Sequence, residues 1–366
     1  MLVLGRRFKK LGDGVNTVDR ESLTSHSARS LFAFAQWPAG AALLVALSGC
    51  GGSGGIASTP TPVATPTEPT ILAAPQTPSA NTTLGGPLKS QTFATLAVRT
   101  TVTQSASALI NASASDPVTT ASISYDANSN TYIVSSQGMA AGGTLPDRAT
   151  LTPNDTAITS AGGGTCIGTS CSSDRVIASL SREGTNRPST QPYFIYSYVG
   201  YANWWSVGDS GANKVYTYNE AVFGIPTPVS AVPTSGTASF TLDLAGYEGT
   251  TPLLGSSGSH ALGPNFAGGG NATIDFGAGT YTMSGSMGAV TAPSKGGDAT
   301  TTFASTGKLL SGANGFGGTF TFNDAGAFNG KLNGWLFGPA AQEIGAVFSA
   351  SAPDGRVAVG TIVGHK

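Results

Sequence analysis

Polar and apolar positions in the last third of the chain alternate with period two. Between Ser235 and Lys366 eight such runs can be read, near 239–244, 272–276, 280–287, 300–306, 317–323, 327–337, 343–350 and 357–363. In them Phe240/Leu242/Leu244, Ala272/Ile274/Phe276, Phe320/Phe322 and Ile344/Ala346/Phe348 fall on one face, the pattern of half-buried strands. Phe328, Gly330, Leu332, Gly334 and Leu336 alternate with Asn329, Lys331 and Asn333 until Gly338-Pro339 breaks the ladder, which predicts a hairpin. Eight strands of this kind close into a barrel whose interior is just filled by side chains, which removes the exposed edges. An eight-stranded up-and-down antiparallel β-barrel is therefore expected over 231–366.

A membrane-spanning barrel also alternates with period two. Against it, most of these runs are shorter than the ~9–11 residues needed to span a bilayer. The outward positions Thr273, Asp275, Thr319, Asn329, Lys331 and Asn333 are also polar.

Ahead of the barrel, 93–230 reads as an irregular β handle domain. A hairpin is predicted where 119–125 and 131–134 flank an Asn-rich turn. The run 193–199, Tyr-Phe-Ile-Tyr-Ser-Tyr-Val, reads as the strongest strand and leads into Tyr201-Ala202-Asn203-Trp204-Trp205.

The first 92 residues are of another kind. An apolar run over 31–46 follows Arg29 and ends in Leu47-Ser48-Gly49-Cys50, which describes a secretory signal over 1–49. Leu-Ser-Gly-Cys resembles a bacterial lipobox, which implies a diacylglycerol on the Cys50 thiol and cleavage before it. Gly51 at the next position favours outer-membrane sorting. Gly-Gly-Ser-Gly-Gly and repeated Thr-Pro pairs follow. Pro at that density favours polyproline II, at ~3.1 Å per residue, over any packed core. A disordered tether is expected over 50–92.

Composition agrees with an all-β class. Of 366 residues 51 are Gly and only 10% are charged, a balance that suits strands and tight turns better than helices. Six of the 18 basic and three of the 19 acidic residues lie in the first 49, so the remainder carries a net charge of −4. Nucleic acid is excluded as a partner class, because it calls for a basic face.

Few residues point to site chemistry. With Cys50 assigned to lipid, Cys166 and Cys171 remain, and in an exported protein they most simply form a small disulfide loop. A metal or redox pair is the alternative, but structural zinc calls for four ligands. Gly208-Asp209-Ser210-Gly211 has the look of a protease nucleophile turn, yet no histidine stands in a matching context. No nucleophile, base and orienting group occur together, and the chain does not read as an enzyme. Tyr201, Trp204 and Trp205 are the candidates for partner contact, since amphipathic aromatic residues dominate interface hot spots.

The run 337–348, Phe-Gly-Pro-Ala-Ala-Gln-Glu-Ile-Gly-Ala-Val-Phe, and the terminal run 356–364 resemble the C-terminal signature of the transferrin-binding protein B β-barrel superfamily, surface lipoproteins of Gram-negative bacteria. The stretches 223–228 and 233–238 resemble the superfamily's join between handle and barrel. The resemblance implies a non-catalytic outer-membrane lipoprotein, on the cell surface or alternatively facing the periplasm, that binds an iron or haem carrier or another protein and passes cargo to a TonB-dependent transporter. A structural or adhesive surface role is the alternative. Transferrin-binding proteins repeat handle and barrel twice, whereas one such unit is legible here. Relatives that bind haem make His260 a candidate axial ligand; its polar Gly/Ser setting also suits an ordinary loop histidine.

Overall fold

The structure is a computed structural model that describes residues 70–84, 88–105, 109–129, 131–135, 148–151, 158–161, 175–181, 196–249, 265–289, 300–324 and 326–366. Among the described residues all long elements are strands. The handle holds β1 (Gln91–Gln104), β2 (Leu109–Ala114), β3 (Ser122–Asp126), β4 (Thr131–Ser135), β5 (Arg148–Leu151), β6 (Ile158–Ala161), β7 (Arg175–Ser181), β8 (Val199–Ser210) and β9 (Asn213–Gly224). Eight more follow: β10 (Thr237–Gly249), β11 (Asn265–Asp275), β12 (Thr280–Ala289), β13 (Thr300–Leu309), β14 (Gly315–Asn323), β15 (Ala327–Phe337), β16 (Glu343–Ser351) and β17 (Val357–His365). These eight form a closed barrel in sequence order, every pair antiparallel, with Thr241–Gly249 of β10 against Val357–His365 of β17 closing the ring.

The barrel interior is solid. Phe320 stacks on Phe348 at 3.9 Å and Phe322 on Phe328 at 4.4 Å between ring centroids. Tyr281 meets Phe316 edge-on at 5.1 Å, and its hydroxyl pairs with Ser305 Oγ at 3.0 Å. Glycines on neighbouring strands make room for these rings: a Cβ at Gly334 would lie 2.2 Å from Phe316, and one at Gly246 would lie 2.5 Å from Phe266. Alternation of large and small residues is how an eight-stranded barrel fills its taper. Glycine in strand interiors, costly by propensity, is thereby tied to close ring packing.

The strands are longer than the periodic runs. β10 has 13 residues and β11 has 11, because Gly246, Gly249 and Gly268-Gly269-Gly270 continue the ladder where a hydrophobicity pattern sees nothing. The barrel strands are thus long enough to span a bilayer, and the length argument against a membrane barrel does not hold. Polarity separates the two instead. Ser239, Thr241, Asn271, Thr273, Thr282 and Thr302 are exposed on the outer wall while the interior is aromatic, the reverse of a lipid-facing barrel.

The handle is a sheet in the order β5-β4-β3-β1-β9-β8-β7-β6, with β2 also on β1. β1 is its axis: residues 94–104 pair with β9, while Gln91–Phe93 pair with β3. The predicted hairpin is β3–β4, and Asp126 shapes its turn, accepting from the Asn128 N–H at 3.0 Å and the Ser129 hydroxyl at 2.8 Å. One face of the sheet buries Phe93, Ile123, Tyr132, Trp204 and Phe223 in a core of its own. The other buries Leu96, Val98, Val102, Val199 and Val222 against Tyr247, Trp335, Phe337, Val347, Val359 and Val363 of the barrel wall.

Two expectations shift. Of the run 193–199, residues 193–195 lie outside the described residues and Tyr196–Tyr198 are not a strand; β8 begins at Val199, because the N–H groups of 197–199 turn to a carboxylate instead of a neighbouring strand. Residues 70–84 also depart from the disorder expected of the 50–92 tether. Leu72 N–H donates to Asn333 Oδ1 at 3.0 Å, Ala74 N–H to Asn314 Oδ1 at 3.1 Å, and the Trp335 indole to the Leu72 carbonyl at 2.9 Å. The strap covers Asn333, an expected outward position, and leaves it 2% exposed.

Candidate functional site

Residues with functional potential gather at the seam where the handle sheet lies on the barrel wall. Close approach depends on wall glycines: a Cβ at Gly345 would lie 2.7 Å from Val199 Cγ2, and one at Gly249 would lie 2.7 Å from Val102 Cγ2. At one edge the Glu343 carboxylate, at the first position of β16, accepts the N–H groups of Ser197, Tyr198 and Val199 at 2.6, 2.8 and 2.9 Å. Beside it the Tyr196 hydroxyl donates to Asp243 Oδ2 at 2.9 Å and meets the His365 ring edge-on at 5.5 Å. Burial pushes the Asp243 carboxyl above its usual range, partly offset by the Tyr196 hydrogen bond. Further along, Tyr218 stacks on Tyr247 at 3.5 Å.

The three aromatic candidates are separated by the pleat. Tyr201 packs into the seam cluster between handle and barrel. Trp204 is 2% exposed within the handle core, which removes it as a contact for an external partner; alternation in β8 assigns it to the inner face. Trp205 is opposite Ile177 of β7 and Tyr218 of β9 in register. Cys50, Cys166, Cys171 and His260 lie outside the described residues. Gly208–Gly211 is the tip of the β8–β9 hairpin, with Gly211 at φ +63° and Lys214 bridged to Asp209, a turn and not a nucleophile elbow.

A second cluster closes one end of the barrel. Arg356 Nη1 is 3.0 Å from Glu248 Oε1, its Nε donates to Asp354 Oδ2 at 2.7 Å, and its guanidinium lies 4.9 Å from the Phe328 ring centroid. Glu248 is fully buried, and burial, reinforced by the charge of Asp324, pushes its carboxyl up to about 8 despite the arginine. The barrel's longest connections, 250–264 and 290–299, leave from this same end.

Among the described residues, clefts open at the opposite end. One of about 520 Å³ lies between the linker at Val229 to Thr234 and the turns at Gly277 and Ser311. Another, about 440 Å³, is walled by Pro75, Pro78, Pro226, Pro228 and Pro339. Neither gathers acid, base and nucleophile. No group of three or more His, Cys, Asp or Glu side chains suited to a metal occurs among the described residues.

Sequence reasoning missed the buried acids. Glu343 lies in the quoted 337–348 run, and its place at the start of a strand directly after a Gly-Pro turn is the only signal that marked it. No motif in the sequence around Glu220 or Glu248 marks them.

No family model and no curated protein matches the sequence. Solved structures do. The chain is similar to a transferrin binding protein B (TbpB) double mutant from Haemophilus parasuis Hp5 at 16% identity and TM-score 0.35, over 74% of this chain and 44% of that one. It is similar to isotype 1 TbpB from serogroup B Neisseria meningitidis at 15% identity and TM-score 0.34, over 74% of this chain and 43% of that one. HpuA from Kingella denitrificans, in complex with human haemoglobin, is similar at 14% identity and TM-score 0.34, over 82% of this chain and 95% of that one. The chain thus spans less than half the length of these two TbpB structures.

Proposed function

We propose that this protein is a non-catalytic lipoprotein, anchored to the outer membrane through Cys50 and displayed at the cell surface, that captures a protein ligand of the iron- or haem-carrier class and hands its cargo to a TonB-dependent transporter. The observation that carries this reading is the filled barrel: with Phe320 stacked on Phe348 and Phe316 over Gly334, the interior holds no small molecule. A ligand therefore meets the outer surface and the connections between strands, where protein recognition takes place on a rigid scaffold. The polar outer wall and the strap at 70–84 support a water-facing body hung from an N-terminal tether.

The test is an equilibrium titration of the soluble chain from Gly51 with haem-carrying and iron-carrying proteins, each with and without cargo. Saturable binding that depends on cargo supports capture. Absence of binding across the set overturns it and leaves the structural or adhesive role.

A further inference from the structure

We infer that the seam between handle and barrel is a proton-controlled joint, closed while the Glu220 carboxyl keeps its proton and opened when that proton leaves. Glu220 sits between Tyr218 and Val222 on the β9 face that packs on the barrel. In register it is opposite Val98 of β1 and Asn203 of β8. It is 6% exposed, and its Oε2 has no hydrogen-bond partner among the described residues.

Among the described residues no cation compensates it. The handle's buried Arg99 bonds Asn219 at 2.8 Å, and both alternate to the opposite face of the sheet from Val98 and Glu220. The titratable groups facing the seam are Tyr216 and Tyr218 from β9, Tyr247 and Asp243 from β10, Glu343 from β16, Tyr196 and Tyr198 ahead of β8 and Tyr201 of β8. All are phenols or acids; Lys331 of β15 is at the exposed rim, where it pairs with Asp116 of the handle at 2.9 Å. His365, beside Tyr196 and Asp243, is at the exposed edge.

An ionised carboxylate in such surroundings is strongly disfavoured, and an interface that can part is the simplest way for it to regain water. Burial pushes the Glu220 carboxyl well above its ordinary value. The sign follows from linkage. Closure binds the proton, so it is fully favoured below the ordinary carboxyl pKa and weakens as pH rises through the raised one. Glu343, with three N–H donors on its oxygens, stays as the pivot while the stacked Tyr218 and Tyr247 part.

The test is hydroxyl-radical footprinting of the full chain from about pH 5 to about pH 10, read by mass spectrometry at Tyr218 and Tyr247. Tyr281 in the barrel core reports that the fold is intact. In the wild type, labelling of Tyr218 and Tyr247 rises with pH, by up to about tenfold per unit for one proton, while Tyr281 stays flat. Glu220→Gln abolishes the rise, and Glu248→Gln leaves it in place. Should Glu220→Gln not fold, Glu220→Leu carries the same expectation. A flat wild-type profile, an unchanged rise in the Glu220 variant, or a rise lost with Glu248→Gln overturns the joint. The outcome is independent of any ligand, so it stands apart from the binding reading.

Discussion

Glu343 holds the start of β8 through its own backbone: the carboxylate accepts the Val199 N–H at 2.9 Å and the two N–H groups before it. A barrel residue thereby ends what would have been a longer handle strand. Glu343→Gln leaves one acceptor oxygen for three donors. It is expected to lower stability by roughly 2 kcal/mol, from buried donors left unsatisfied. Urea unfolding measures this; a midpoint within error of the wild type shows that water or another acceptor serves these groups.

The strap makes a prediction about where the folded body begins. A chain starting at Phe93 lacks the Leu72 and Ala74 contacts and strands the fully buried Asn314, whose amide bridges Ala74 N–H and the Thr227 carbonyl. It should be less stable than one starting at Thr70 by several kcal/mol. Thermal melts of the two fragments compare them directly, and equal melting temperatures mean that the strap is ornamental.

Glu248 predicts a pH dependence. Its carboxyl is raised to about 8 from an ordinary value of 4.5. The folded state therefore holds a proton that the unfolded chain has lost. Its contribution is complete below about pH 4.5 and disappears as pH rises to about 8. Denaturation midpoints should fall across that window, and Glu248→Gln should flatten the fall. Arg356→Met should cost roughly 3–5 kcal/mol, since it leaves the buried acids uncompensated. A wild-type midpoint that rises over the window contradicts the assignment.

The expected lipid anchor is checked by fractionation. Cys50→Ala should move the protein from the membrane to the soluble fraction. Persistence in outer membranes after a carbonate wash contradicts the lipobox. A thiol titration of unreduced mature protein should find no free thiol, if Cys166 and Cys171 pair; two titratable thiols contradict the disulfide.

The barrel was legible in the sequence because its inward positions carry Phe, Leu and Ile at period two, and a closed ring of antiparallel neighbours is their simplest arrangement. Strand ends were not, because Gly268 to Gly270 carry no hydropathy signal; they fit the ladder because backbone carbonyls of Ser286, Leu242 and Ser284 lie only 2.0, 2.8 and 2.1 Å from where their Cβ atoms would stand. The seam was harder still. Tyr201 and Trp204 are three residues apart in one aromatic stretch, yet the pleat sends one to the barrel wall and the other to the handle core. Asn333 reads as a solvent-facing position, and only a strap from more than 250 residues away buries it. Partners so distant along the chain leave no local pattern.

The central claim is that this solid barrel and its handle exist to hold another molecule from outside. The most direct measurement is a pull-down with the chain from Gly51, run against envelopes and medium of iron-starved and iron-replete cells, with absorbance read for co-purified haem. The account predicts a retained carrier or transporter, enriched from starved cells, with a haem Soret band where the cargo is haem. Recovery of the chain alone from both conditions contradicts it.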